Sequence, residues 1–388
     1  MNQTATQKRS TGNGISPSPG FGVNVAGYLR GEFGLGEAAR TLVNALDQAQ
    51  ISYVLNNVDV SWHRNLDNTL YDFSEDNPYP INLIGINVDQ VPEFYALKGE
   101  KYFKERYNIG TWFWELSKFP EEWLPRFQHY HEIWAPSQFC ADSLARVSPI
   151  PVVRMSWPLL MSETSTQPDR SCFGLREDSV VFLFIFDYRS IFERKNPLAL
   201  IDAFRTSFRG TENAVMVLKT INSDSDTENM RRLERAAQGL NVKIIDRHLD
   251  RGELHSLMQA CDCYVSLHRS EGLGLGMAQM MYLGKPVIGT AYSGNMDFMN
   301  VNNSFLVKYQ MVELDQDYGP YKKGSVWAEP NTEHAVELMR TVYENYDLAA
   351  AIGQRAADYV NKQMHPSLVG ETILRHLVQI GCLDHHQS

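Results

Sequence analysis

The stretch from Ser266 to Thr290, Ser-Leu-His-Arg-Ser-Glu-Gly-Leu-Gly-Leu-Gly-Met-Ala-Gln-Met-Met-Tyr-Leu-Gly-Lys-Pro-Val-Ile-Gly-Thr, constrains the fold more than any other. An apolar run from Tyr264 to Leu267 reads as a strand ending at His268. Glycines at alternate positions, Gly272, Gly274 and Gly276, with Leu273 and Leu275 between them, lead into a helical pattern from Met277 to Leu283. Pro286 to Thr290 reads as the next strand. A strand that feeds a helix through a glycine loop makes an anion site, because free backbone N–H groups and the positive end of the helix dipole meet there. Glu271 stands just before the loop, and Gln279 follows eight positions later. A phosphate cradle flanked by groups that grip hydroxyls points to a ligand both phosphorylated and polyhydroxylated, which a nucleotide-sugar is. The plainer alternative is that the glycines serve close strand–helix packing and Glu271 caps the loop.

The remainder of the chain alternates strand and helix in two blocks. At 388 residues, two or three domains are expected. Residues 1–19, rich in Ser, Thr, Gly, Asn and Pro, read as a disordered tail. A first block, 20–165, carries strands at Gly22–Gly27, Ile51–Leu55, Ile81–Ile86, Tyr107–Trp112, Glu132–Ala135 and Val152–Met155, with helices at Glu37–Ala49, Pro92–Arg106 and Gln138–Val147. Polar, patternless residues from Met161 to Arg170 read as a linker. A second block, 166–364, restarts with the continuous apolar run Val180–Phe186, as a strand covered on both faces requires. Strands at Ala214–Lys219 and Val242–Ile245 follow, with helices at Asn196–Phe204, Glu228–Ala237, Gly252–Ala260, His334–Tyr346 and Leu348–Lys362. Residues 365–388 form a terminal segment with a helix near Ser367–Ile380. Two such blocks predict an α/β protein of two doubly wound domains facing each other.

The stretch His268 to Gly289 resembles the EGxGL…EAM…GxPVI signature of glycosyltransferase family 4, whose members have the GT-B fold of two Rossmann-like domains and act as retaining, generally metal-independent transferases. The resemblance implies that Glu271 meets the hydroxyls of the transferred sugar. It puts Gln279 where the family carries a second glutamate for the ribose, so an amide replaces a carboxylate that takes two hydrogen bonds. Phe186-Asp-Tyr-Arg-Ser-Ile-Phe-Glu-Arg-Lys-Asn-Pro197 matches the family segment whose arginine and lysine, six residues apart, neutralise the departing diphosphate. Arg189 and Lys195 have that spacing, with Arg194 a rival for the arginine. The glycines of Gly27 to Arg40 run Gly31, Gly34, Gly36, which is no dinucleotide fingerprint. The segment resembles the family's first loop, facing the donor phosphates, and gives Gly34 and Gly36 to the donor site. The resemblance also implies that the terminal helix crosses back to the first domain.

Other residues are read on their own chemistry. Glu37 and Arg40, three apart on a first helical turn, suit a surface ion pair as well as a site. In Thr111–Trp123, Trp112 and Trp123 read as core. Trp114 and Glu115 fall where a strand should end, so Trp114 is a candidate to stack an acceptor sugar and Glu115 to take the acceptor proton. The departing phosphate is the alternative base. His268 reads as a donor contact in preference to packing, and Asp297, after the next strand, as a donor-loop or structural residue.

A net charge of −10 argues against general nucleic-acid binding. Lys98, Lys101, Lys104 and Arg106 form a basic face, a candidate peripheral membrane contact if not simply solvated. Cys261 and Cys263 resemble a metal pair but lack partner ligands at ligand spacing, so buried thiols are expected and no metal or cofactor. With no bilayer-spanning run and no signal peptide, the expected location is the cytosol. The reading is a transferase moving a hexose from a UDP- or GDP-sugar to a glycan, lipid-linked or polysaccharide hydroxyl. A nucleotide-sugar epimerase and a catalytically silent sugar-binding protein stay open.

Overall fold

The computed structural model describes residues 21–60, 63–70, 72–159, 161, 169–208, 210 and 213–384. The expected tail 1–19, most of the linker, the boundary at 165–166 and the Cys382 side chain lie outside the described residues.

Two parallel six-stranded sheets carry the chain. The first contains β1 (Val23–Gly27), β2 (Tyr53–Asn57), β3 (Ile81–Gly85), β4 (Tyr107–Thr111), β5 (Glu132–Ala135) and β6 (Val152–Arg154), in the order β2-β1-β3-β4-β5-β6. The second contains β7 (Val180–Asp187), β8 (Ala214–Ile221), β9 (Val242–Asp246), β10 (Cys263–Ser266), β11 (Val287–Thr290) and β12 (Phe305–Val307), in the order β12-β11-β10-β7-β8-β9. Parallel sheets need helices on both faces, which explains why β1 is buried at every position and β7 is almost wholly apolar. Strand order reverses once in each sheet, between β1 and β3 and between β7 and β10. Open α/β sheets bind ligands at the carboxyl ends of strands beside such a reversal.

Two features depart from the sequence reading. The helix expected over Pro92–Arg106 is two, Val91–Lys98 and Glu100–Phe103, because Gly99 at φ +70° breaks the chain between them. An antiparallel hairpin, β13 (Tyr309–Glu313) with β14 (Val326–Pro330), had no counterpart. Its residues Leu314, Tyr321 and Trp327 leave their own sheet and pack among Trp112, Trp114 and Phe119 of the first domain.

Polar bonds also tie the domains together. The Ser137 hydroxyl donates to the Gly272 carbonyl at 2.6 Å. The Asp297 carboxylate accepts from the Gln138 N–H at 3.0 Å and from Arg154 Nε at 2.8 Å, which gives Asp297 a bridging position. The terminal helix Pro366–Asp384 lies against the helix Gly34–Gln48 of the first domain. Contact is close enough that a Cβ on Gly370 would fall 2.2 Å from the Ala45 carbonyl oxygen. His376 Nε2 lies 2.7 Å from Glu132 Oε1 at the same surface.

Candidate functional site

Between the domains lies a cleft of about 1470 Å³, lined by the carboxyl ends of strands from both sheets. On the second-domain side, β10 runs through buried Leu267, His268 and Ser270 into Glu271. Gly274 sits at φ +90° and caps the helix Leu275–Tyr282, a conformation that a side chain would strain. Gly276 is required for another reason: a Cβ there would lie 2.7 Å from the Tyr264 hydroxyl of β10. The helix thus starts two residues earlier than its sequence pattern, and its first N–H groups open toward the cleft.

Beside it, β7 ends at Asp187, whose carboxylate accepts from the Arg189 N–H at 2.9 Å and from Asn222 at 2.9 Å. A single helical turn, Phe192–Lys195, follows between two left-handed residues, Ile191 and Asn196. Asn196 donates to the Leu267 carbonyl at 3.0 Å, tying this turn to the end of β10. The result is a buried charged cluster. Lys195 Nζ lies 2.5 Å from Glu271 Oε1, and Arg194 Nη1 lies 3.3 Å from Glu271 Oε2. Burial alone would raise the Glu271 pKa, but Lys195 and Arg194 reverse that and hold it at about 2. Glu271 is therefore an ionised hydrogen-bond acceptor at neutral pH and has no proton to give.

Arg194 is 5% exposed and donates to the carbonyls of Ser270 at 2.8 Å and Ser190 at 3.1 Å. It also stands 3.9 Å from Glu115 of the first domain. Arg189 lines the cleft, and its guanidinium has no hydrogen-bond partner among the described residues. Gln279 likewise lines the cleft with its amide unpaired among those residues. Arg194 therefore has an anchoring geometry, while Arg189 and Lys195 face the space.

Residues 169–359 match the family described as glycosyl transferases group 1. The carboxy-terminal domain belongs to that family. No curated protein matches the chain. Among solved structures, the chain is similar to Alr3699/HepE of Anabaena, solved with UDP and glucose, at 14% identity and a TM-score of 0.65, covering 92% of this chain and 99% of that one. It is also similar to sucrose-phosphate synthase of Thermosynechococcus elongatus, at 13% identity and a TM-score of 0.67, covering 94% and 100%. A glycosyltransferase of Rickettsia africae matches at 14% identity and a TM-score of 0.65, covering 92% and 97%. The two facing sheets are the GT-B fold, and family and fold together support glycosyl transfer.

Within the cleft the remaining sequence-selected residues separate. Gly34 begins the first-domain helix at the cleft with open space where a Cβ would be, whereas Gly36 packs so tightly that a Cβ would meet the Gly31 carbonyl oxygen at 2.1 Å. Gly272 through Gly276 all line the cleft. His268 does not match its donor-contact reading: it is fully buried, with Nδ1 3.0 Å from the Ser266 hydroxyl and Nε2 3.1 Å from Asn295 Oδ1, and it orders the loop from beneath. Trp114 lines the cleft but is largely enclosed. It is 2% exposed, its indole N–H donates to the Lys118 carbonyl at 2.9 Å, and Phe119, Trp123 and Tyr321 pack around it. Glu115 does reach the cleft, where the Tyr321 hydroxyl donates to its carboxylate at 2.9 Å.

Glu37 and Arg40 are no surface pair. Arg40 is 6% exposed and bonds Glu37 at 3.0 Å and Asp67 at 3.3 Å, while Arg251 of the second domain reaches Glu37 at 2.6 Å. Sequence reasoning passed over Tyr321, Arg251 and Lys219, none of which lies in a motif. Lys219, on the cleft wall at the end of β8, donates to the Thr220 carbonyl at 2.7 Å, and burial pulls it down to about 8.

On the outer surface, Lys98 pairs with Glu75 at 2.7 Å, which offsets part of the basic face, and Arg106 donates to the Asn77 carbonyl at 2.8 Å. No described helix is long and apolar enough to cross a membrane. Cys261 and Cys263 are buried free thiols. No group of His, Cys, Asp or Glu side chains suited to a metal ion occurs among the described residues.

Proposed function

We propose that the protein is a retaining transferase that moves a hexose from a UDP- or GDP-sugar to an acceptor hydroxyl, without a metal or other cofactor. The observation that carries this reading is the ionised Glu271 held between Lys195 and Arg194 at the mouth of the glycine loop. In this reading Arg189, Lys195 and the N-terminus of the helix Leu275–Tyr282 meet the donor diphosphate, supplying the charge its departure requires. Glu271 accepts hydrogen bonds from the sugar hydroxyls, and the unpaired amide of Gln279 takes the ribose diol. The acceptor oxygen attacks the anomeric carbon on the face the diphosphate leaves. The bond from that carbon to the phosphate oxygen breaks, and its electron pair departs with the nucleoside diphosphate. The acceptor's proton passes to the departing phosphate oxygen or to Glu115, which lies beside the same guanidinium as Glu271. Closure of the domains excludes water and limits hydrolysis.

Turnover of UDP-, GDP- and ADP-linked hexoses, followed by release of the nucleoside diphosphate, tests the proposal. Release from at least one donor, with the anomeric configuration kept in the product, supports it. No turnover of any donor contradicts it, and binding without turnover favours a silent sugar-nucleotide-binding protein.

A further inference from the structure

The reversal of strand order in the first sheet gives the cleft a second edge, whose residues form a pocket on the first-domain side. There β1 leads into Tyr28, β3 into Asn87 and Asp89, and β4 into Glu115, all of which line the cleft. Asp89 is held by amides: Asn87 Nδ2 donates to one carboxylate oxygen at 2.9 Å and Gln90 Nε2 to the other at 3.0 Å. It has no ion-pair partner among the described residues. Tyr28 is 2% exposed, and its hydroxyl, beside Asp89 and close to the Asn87 backbone, makes no hydrogen bond of good geometry among the described residues. A buried hydroxyl left unpaired costs about 1–3 kcal/mol, which a hydroxylated ligand would relieve.

The cations near this pocket are already engaged. Arg194 is paired with Glu271 and stands beside Glu115. Arg126 does not line the cleft; it donates to the Val88 carbonyl at 2.6 Å and lies over the Trp123 ring. Trp123, half-buried, adds an apolar wall. Carboxylates, amides and a phenol, whose neighbouring cations Arg194 and Arg126 are already hydrogen-bonded, accept hydrogen bonds from hydroxyls and disfavour phosphate.

We propose that this pocket binds an uncharged sugar unit, so that the acceptor is the hydroxyl-bearing end of a neutral glycan and carries no phosphate next to the reacting sugar. The proposal rests on the transferase reading above. Saturation-transfer NMR of the full chain with UDP or GDP present tests it, using methyl glucoside, methyl mannoside and methyl galactoside against the 6-phosphates of the same hexoses. At least one neutral glycoside should bind, and the phosphates roughly tenfold or more weakly. Asp89→Asn should weaken the neutral glycoside roughly tenfold and Tyr28→Phe roughly threefold, with nucleotide affinity unchanged as the measure of an intact fold. Equal or tighter binding of the phosphates overturns the proposal. So does an Asp89→Asn variant that binds the neutral glycoside as the parent does. Nucleotide binding with no glycoside bound overturns the pocket alone, whereas absence of nucleotide binding overturns the transferase reading with it.

Discussion

The two walls of the cleft are built by one device and differ in the chemistry they set at the strand ends. Each is the carboxyl edge of a parallel sheet beside a reversal of strand order. The second-domain wall presents Arg189, Lys195, Lys219 and an open helix N-terminus. The first-domain wall presents Asp89 and Glu115 with amides and a phenol. The shared scaffold therefore fixes where ligands sit, and the loop residues decide which charge each wall accepts. Glu271 joins them: a buried carboxylate set among the cations of the second-domain wall and held ionised by Lys195 and Arg194.

Removing Glu271 should give the largest effect. Glu271→Ala is expected to slow transfer by about 10²–10³-fold in initial-rate assays, while bare nucleotide binds at least as well because two cations lose their counter-charge. Lys195→Ala should slow transfer to a similar degree but also weaken the nucleotide. Near-parental rates in both would break the division between the walls.

Lys219 tests whether the cationic wall is maintained at a cost to stability. Its pKa is about 8 in the folded chain against 10.5 for a free side chain. Below pH 8 both states are charged and the whole penalty of burial is present. Between pH 8 and 10.5 the unfolded chain holds a proton that the folded chain has lost, so this group's contribution to stability rises with pH. Lys219→Met should therefore stabilise the protein at pH 7 by about 2–3 kcal/mol, with the gain fading across that interval in pH-dependent thermal melts. A variant that lowers the melting temperature at pH 7 would contradict this.

On the opposite wall, Asp89→Asn should raise the acceptor KM roughly tenfold with little change in donor KM, measured with a neutral acceptor. The smallest effect is expected at Gln279. Gln279→Glu restores a carboxylate for the ribose diol and should tighten nucleotide binding by roughly three- to tenfold in a calorimetric titration. Weaker binding would show that the cationic wall already holds the nucleotide in a manner suited to the amide.

How much of this was legible in the sequence follows the same division. Lys219 apart, the cationic wall is written in two short segments, 186–197 and 268–289, whose strand ends, positive-φ glycine and helix start are local properties. The strand-by-strand alternation that forms both sheets was legible for the same reason. The first-domain wall is assembled from residues after three different strands, and its Glu115 is oriented by Tyr321, 206 positions away. No local pattern announces that. The hairpin carrying Tyr321 escaped notice because β13 is mostly exposed and lacks the strict alternation of a half-buried strand. His268 and Trp114 show a further limit. Strand ends located their backbones at the cleft, but Ser266 and Asn295 turn the His268 ring inward, and an aromatic cluster encloses the Trp114 ring.

In the proposed mechanism the Lys195–Glu271–Arg194 cluster grips a nucleotide-sugar, cations on phosphate and carboxylate on sugar. Calorimetric titration of the parent and Glu271→Ala with UDP, GDP and their glucose and mannose conjugates tests it most directly. The parent should bind one conjugate more tightly than its bare nucleotide, and the variant should lose this difference while keeping the nucleotide. Equal weakening of nucleotide and conjugate, or no binding of any of them to the parent, would contradict it.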